Sequence, residues 1–441
     1  MMNTNKSKFE AFSLDQRMID VIGKLKFKQP TEVQEKVIPK VLKGQSVIGQ
    51  SRTGSGKTHA FLLPLFNQLD TTKREVQFVI TAPTRELATQ LYDEVKKIIT
   101  LADKEGEWIA KLLVGGTDKQ KMKDKLKEAP HIIVGTPGRI LDLVNENVLS
   151  IFSAKSFVID EADLMLDLGF IDDVDKLLVR SKKDIQLLVF SATIPERLQH
   201  FFKKYLENPI YIKVEDHFSP ETMEHRLIAL KHRNEADVIL EISNVIHPYL
   251  AIIFTNGKKQ ANELADSLIE RGLEVGLIHG GLTPRERKRV LKEIQNLRYQ
   301  YIVATDLAAR GIDIKGVSHV INAQIPKEEE FYIHRVGRTA RAGMEGTAIS
   351  LYNEEDLKLI NKLEEKGLAF TFVDVKNGEW LEAKPWNERQ LRTKTTTNLE
   401  KEAWKQVRKV NKVKPGYKKK MKRQQESIKK QLGKNVKNKR K

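Results

Sequence analysis

The chain has 441 residues, 40% of them hydrophobic, with ten histidines and no cysteine. That length suffices for two or three domains with sizeable cores, the missing cysteines exclude disulfides and thiolate metal sites, and no apolar run approaches a membrane span. The formal charge of +18 is concentrated at one end: residues 401–441 hold 18 Lys/Arg against Glu402 and Glu426, leaving only +2 for residues 1–400.

In chain order, the opening MMNTNKSKFE lacks the apolar core of a secretory signal, so a cytoplasmic protein is expected. A helical pattern over 14–25 precedes the segment KFKQPTEVQ at 26–34. A short apolar run at 46–48 then enters SRTGSGKT at 51–58, and a helix is expected over 59–69. Gly54 and Gly56 let the backbone curl so that successive N–H groups cradle anionic oxygens, and the following helix adds its positive end. Ser51, Thr53, Gly54, Ser55, Gly56, Lys57 and Thr58 thus form a candidate triphosphate loop, with Lys57 on the phosphates and the Thr58 hydroxyl as a Mg²⁺ ligand. Ser51 stands where the strict pattern has glycine.

Strand-like runs follow at 76–82, 132–136, 157–160, 186–190 and 210–214, separated by helical stretches. Apolar strands alternating with helices indicate an α/β fold with a parallel, doubly wound sheet. The polar segment 214–222, with Pro220, reads as a linker. Alternation resumes at 250–254, 275–278, 301–304, 319–322 and 348–352, so the expected organisation is one half over 1–213, a second over 223–370, and a basic tail over 371–441. The segment 371–400 fits either a docked extension or the start of the tail. The lysine-rich end is too poor in apolar residues to offset its ordering entropy, so a flexible segment attracted to polyanions is expected. The second half has no phosphate loop of its own.

FVIDEAD at 157–163 ends an apolar strand in two carboxylates. Asp160 at the strand tip is a candidate Mg²⁺ ligand, and Glu161 a candidate base for an attacking water. Here the chain resembles the DEAD-box RNA helicases of superfamily 2, and the resemblance extends over about residues 12–350. It implies two tandem RecA-like domains, ATP and Mg²⁺ as cofactors, and RNA, single-stranded or in short duplexes, as a sequence-nonspecific partner. Phe27 and Gln34 match the family's adenine-reading motif. Pro83, Thr84, Arg85, Gly115, Gly116, Thr136, Pro137, Gly138 and Arg139 match its RNA-backbone motifs, as do Thr255, Arg287 and Thr305 in the second half. Ser191 and Thr193, with Asp163 and His334, match the residues that couple nucleotide state to the interdomain cleft. Gly311 and Asp313 match ribose contacts. Arg338 and Arg341, in HRVGRTARAG, match arginine fingers that complete a catalytic set with Lys57, Asp160 and Glu161.

Two positions depart from the family pattern: Ala340 where many members have glycine, and Pro284 where a glutamine is usual. The expected activity is ATP-dependent local unwinding of RNA, with a role in ribosome assembly, RNA decay or cold adaptation, on ribosomal precursors or beside RNA-decay proteins, and without a membrane. The alternatives are a DNA-directed helicase of the same superfamily and an ATP-gated RNA-binding scaffold that hydrolyses little.

Overall fold

The structure is a computed structural model that describes residues 8–51, 54–116, 119–206, 209–214, 223–309, 314, 316–340, 345–385, 421 and 423–428. The first lobe is built on seven strands: β1 (Val47–Gln50), β2 (Phe78–Thr81), β3 (Ala110–Leu113), β4 (Ile132–Gly135), β5 (Ser156–Ile159), β6 (Gln186–Ser191) and β7 (Ile210–Lys213). They run in the order β3-β4-β2-β5-β6-β1-β7, and each neighbouring pair is parallel. Alternation along each strand explains why helices cover both faces. Phe78 and Ile80 join Phe61, Leu65 and Val95 on one side. Val79 between them joins Leu141 and Leu177 on the other. Each such side chain, once buried, stabilises the lobe by roughly 2 kcal/mol relative to exposure.

The second lobe repeats the plan with β8 (Met223–Ala229), β9 (Ala251–Thr255), β10 (Val275–Ile278), β11 (Tyr301–Thr305), β12 (His319–Asn322) and β13 (Gly346–Tyr352). These lie in the order β10-β11-β9-β12-β13-β8 and pair in parallel. The α/β class is therefore borne out, with one all-parallel sheet and a second that is mostly parallel. Of these thirteen strands, two escaped the sequence reading, each for a physical reason. β3 is an edge strand whose Lys111 and Leu112 are only partly buried, and β8 interleaves Glu224, His225 and Arg226 with its apolar residues.

Residues 370–382 carry β14 (Phe370–Lys376) and β15 (Glu379–Glu382), joined by Asn377 and Gly378, both at positive φ. That Asn-Gly turn is the tight connection that hairpin twist favours. Of the expected linker only Val214 is described, and of the lysine-rich end over 401–441 only 421 and 423–428. Thr53, Gly311, Asp313 and Arg341 also lie outside the described residues.

Candidate active site and nucleic-acid interface

The site is assembled at the ends of the first lobe's strands. After β1 the chain turns through Gly54 (φ 88°) and Gly56 (φ 97°) into the helix Lys57–Asn67. Gly56 admits no other residue cheaply, because a Cβ there would stand 2.8 Å from both Gln34 Nε2 and Thr31 Oγ1. Gln34 is buried at the start of its helix, with its Oε1 accepting from Thr31 N–H at 3.0 Å and its Nε2 donating to the Gly56 carbonyl at 3.2 Å. Gln34, expected on the adenine side, thus braces the 51–58 loop. Phe27 meets His59 edge to face, centroids 4.9 Å apart.

Lys57 is buried, donates to the Ser51 carbonyl at 3.0 Å and approaches Glu161 Oε1 at 3.4 Å. Burial alone pulls its ammonium down, but the charges of Glu161, Asp160 and Asp163 outweigh that and raise it, so the lysine stays cationic. Asp160, just past β5, is pushed up to about 7, first by burial and then by the Glu161 charge, against the pull of Lys57. Its Oδ1 is buried without a hydrogen-bond partner. A carboxylate oxygen left bare beside a phosphate loop suits a hard cation whose remaining oxygens come from nucleotide and water. No cluster of three His, Cys, Asp or Glu among the described residues is placed to hold a metal unaided. Glu161 occupies the left-handed region (φ 50°, ψ 55°) as it caps the helix Ala162–Asp167. For a non-glycine this costs about 1 kcal/mol or more and is concentrated at functional sites.

Asp163 joins the expected coupling residues. Its N–H donates to Ser191 Oγ at 3.0 Å, and its Oδ2 accepts from Thr193 N–H at 3.0 Å and Thr193 Oγ1 at 3.1 Å. The same oxygen lies 3.6 Å from His334 Nε2 of the second lobe. Thr193 and His334, 141 positions apart in the sequence, therefore converge on one carboxylate oxygen. Arg338, two residues beyond the helix Glu329–Val336, is 7% exposed.

The RNA-motif residues are placed as follows. Arg85 opens the helix Arg85–Leu101, capped by Thr84, whose Oγ1 accepts from Leu87 N–H at 3.2 Å. Its guanidinium lies over Gly115 and Gly116, where a Cβ would come within 2.8 and 2.5 Å of it. Pro83 precedes that cap. Thr136 caps the helix Pro137–Asn145 with proline in its first turn, and Arg139 from that helix reaches the Val114 carbonyl at 3.4 Å. One ridge of the first lobe thus carries all three motifs. Thr255, by contrast, is fully buried with its hydroxyl donating to Gly257 O at 3.3 Å, and Thr305 is buried at the end of β11. Arg287 Nε sits 2.7 Å from Glu86 Oε1 of the first lobe.

Sequence reasoning gave Arg335 no structural role, yet it is 1% exposed and holds the second lobe's strand ends together. It pairs with Asp306 at 2.5 and 2.7 Å and donates to Asn256 Oδ1 at 2.7 Å and to the Gln324 carbonyl at 2.6 Å. The signal was Asp306 itself, a lone acid closing an apolar strand, which needs a cationic partner once buried.

No helix among the described residues is long and apolar enough to cross a membrane. Residues 31–201 match the family described as DEAD/DEAH box helicase, and residues 234–343 match the helicase conserved C-terminal domain. The chain is 52% identical over 437 residues to the DEAD-box ATP-dependent RNA helicase CshB of Bacillus subtilis, spanning 99% of this chain and 100% of that one. It is 50% identical over 432 residues to the protein of the same name from Listeria monocytogenes, spanning 97% and 98%. Among solved structures, S. cerevisiae Dbp5 bound to RNA and ADP BeF3 superposes with a TM-score of 0.74 at 30% identity, over 83% of this chain and 95% of that one. Matched by both family models and at this identity over nearly its whole length, the chain belongs to the DEAD-box ATP-dependent RNA helicases.

Proposed function

We propose that the protein hydrolyses ATP only when RNA draws its two lobes together, and that closure removes a short stretch of RNA pairing. The observation that carries this reading is the Asp163 carboxylate, held by Thr193 within its own lobe and approached by His334 from the other. A residue one step from the reacting acids is thereby sensitive to the second lobe's position. In this reading Lys57 binds the β- and γ-phosphates, and the Gly54–Thr58 backbone cradles them. Thr58 and Asp160 would hold Mg²⁺, which supplies charge neutralisation on the phosphate oxygens. Glu161 orients the attacking water and accepts its proton. Arg338 and Arg341 bring guanidinium charge to the γ-phosphoryl from the second lobe, so the catalytic set is complete only on closure.

Phe27 and Gln34 position the adenine side, and Gly311 and Asp313 the ribose. Arg85, Arg139 and the Gly115–Gly116 turn, with Thr84 and Thr136, present a backbone-reading ridge that carries little base information, which supports binding without sequence preference. Thr255, Arg287 and Thr305 extend that path on the second lobe. The lobes correspond to residues 1–213 and 223–370 joined by 214–222, and the basic end acts as an RNA tether. We place this activity in the cytoplasm, in ribosome assembly, RNA decay or cold adaptation. The test is Glu161→Gln in the full chain: phosphate release should fall by roughly 10²- to 10⁴-fold, while ATP-dependent retention of single-stranded RNA persists. Full turnover in that variant overturns the reading.

A further inference from the structure

Gln50 is the last residue of β1, in register with Ser191 on one side and Lys213 on the other. Its main chain ties both neighbours: the Val214 N–H donates to the Gln50 carbonyl at 3.0 Å, and the following Ser51 N–H donates to the Ser191 carbonyl at 3.0 Å. Its side chain then crosses the same gap a second time. Nε2 donates to the Ala192 carbonyl at 3.2 Å, and Oε1 accepts from the Tyr211 hydroxyl. Ala192 lies between Ser191 and Thr193, the two residues that Asp163 holds. Tyr211 lies on β7, three positions before residue 214, where the sequence enters the segment read as joining the lobes.

We infer that Gln50 and Tyr211 are a pair of positioning residues that fasten the strand leaving the first lobe to the Ser191–Thr193 turn, and so set how strongly RNA accelerates ATP turnover. The turn is held from one side by Asp163, which also meets the second lobe, and from the other by Gln50. A shift of the turn on lobe closure is therefore passed through a neutral amide to β7 instead of being absorbed in a loose loop. Neither side chain reaches the phosphate loop, so the pair acts on coupling and not on nucleotide affinity. Tyr211 is 51% exposed, which allows its hydroxyl to be removed with little loss of packing.

This inference rests on the reading of Asp163, Ser191 and Thr193 as the coupling constellation. Its test uses the full chain with Gln50→Leu, Tyr211→Phe, the double variant and Thr193→Ala, assayed for ATP turnover with and without poly(U), for the KM of ATP, and for melting temperature. In both single variants RNA-stimulated turnover should fall roughly three- to tenfold, the scale of one or two neutral hydrogen bonds. The KM for ATP and RNA-free turnover should hold, and the double variant should be no worse than the more affected single, as expected for residues acting as one unit. Full stimulation in Tyr211→Phe, an equal loss in RNA-free turnover, or multiplicative losses in the double variant would overturn it. Should Gln50→Leu lower the melting temperature, Tyr211→Phe alone decides. Thr193→Ala separates the two readings: full stimulation there sinks the coupling constellation itself, whereas loss there with normal Gln50 and Tyr211 variants sinks only this pair.

Discussion

Glu86 of the first lobe and Arg287 of the second meet at 2.7 Å, with only 22% and 15% of their side chains exposed. Arg287, on the helix Pro284–Gln295, is one of the residues expected to contact RNA, and Glu86 directly follows another, Arg85. Arg287 donates as well to the Ala308 carbonyl at 3.1 Å, which holds the guanidinium in place whether or not the carboxylate is present. The pair therefore links the lobes next to residues that the proposed function places against RNA.

Breaking that link should weaken RNA response without removing the chemistry. Glu86→Gln and Arg287→Ala should each raise the RNA concentration for half-maximal ATP turnover by roughly fivefold, and a double-mutant cycle should give a coupling of about 1 kcal/mol. The measurement is ATP turnover titrated with single-stranded RNA at fixed low salt; independent, additive effects would show that the contact does not govern closure.

Arg335 and Arg338, three residues apart, should fail in different ways. Replacing Arg335 by Leu strands Asp306 in a buried site, which should cost about 3–5 kcal/mol and appear as loss of the second lobe's unfolding transition in urea. Arg338→Ala should instead lower RNA-stimulated turnover by roughly 10³-fold with a much smaller change in that transition. A stable Arg335→Leu protein, or an Arg338→Ala protein with normal turnover, would reverse the assignment of roles.

His225 makes the second lobe sensitive to acid. Burial lowers its imidazole to about 4, with the Glu224 charge opposing, and its Nδ1 lies 3.1 Å from the Tyr332 hydroxyl. The unfolded chain takes up a proton near pH 6.5 that the folded lobe refuses until about pH 4. Stability is therefore full above pH 6.5 and declines as pH falls toward 4, by about 3 kcal/mol in all. His225→Gln should flatten the melting temperature across that window. An unchanged slope would mean that other groups set the acid response.

The lysine-rich end should act as an electrostatic tether. Deleting residues 401–441 removes a net charge of +16 and should weaken RNA binding while making it less steeply dependent on salt, since fewer counterions are released. RNA-free ATP turnover should persist. Binding isotherms at several salt concentrations decide this: an identical slope in the shortened chain excludes tethering.

Much of this molecule is readable along the chain because its decisive pieces are local. The 51–58 loop announces itself because glycines at fixed offsets, entered from a strand and left by a helix, dictate where backbone N–H groups point. Asp160 is legible for the same reason, as an acid at the tip of an apolar run. Strands with mixed composition, such as β8, were not legible, since its Glu224 and Arg226 pair with each other at 2.8 Å while Leu227 and Ile228 are buried in the core.

Contacts between distant residues were decided by the tertiary structure alone. Nothing in the order of residues says that Thr193 and His334 close on the same oxygen of Asp163, that Arg287 finds Glu86 across 201 positions, or that Arg335 is clamped by Asp306, Asn256 and the Gln324 carbonyl. Local sequence sets backbone geometry within a few residues. Which side chains then become neighbours depends on how two parallel sheets order their strands, because that order chooses which strand ends stand side by side.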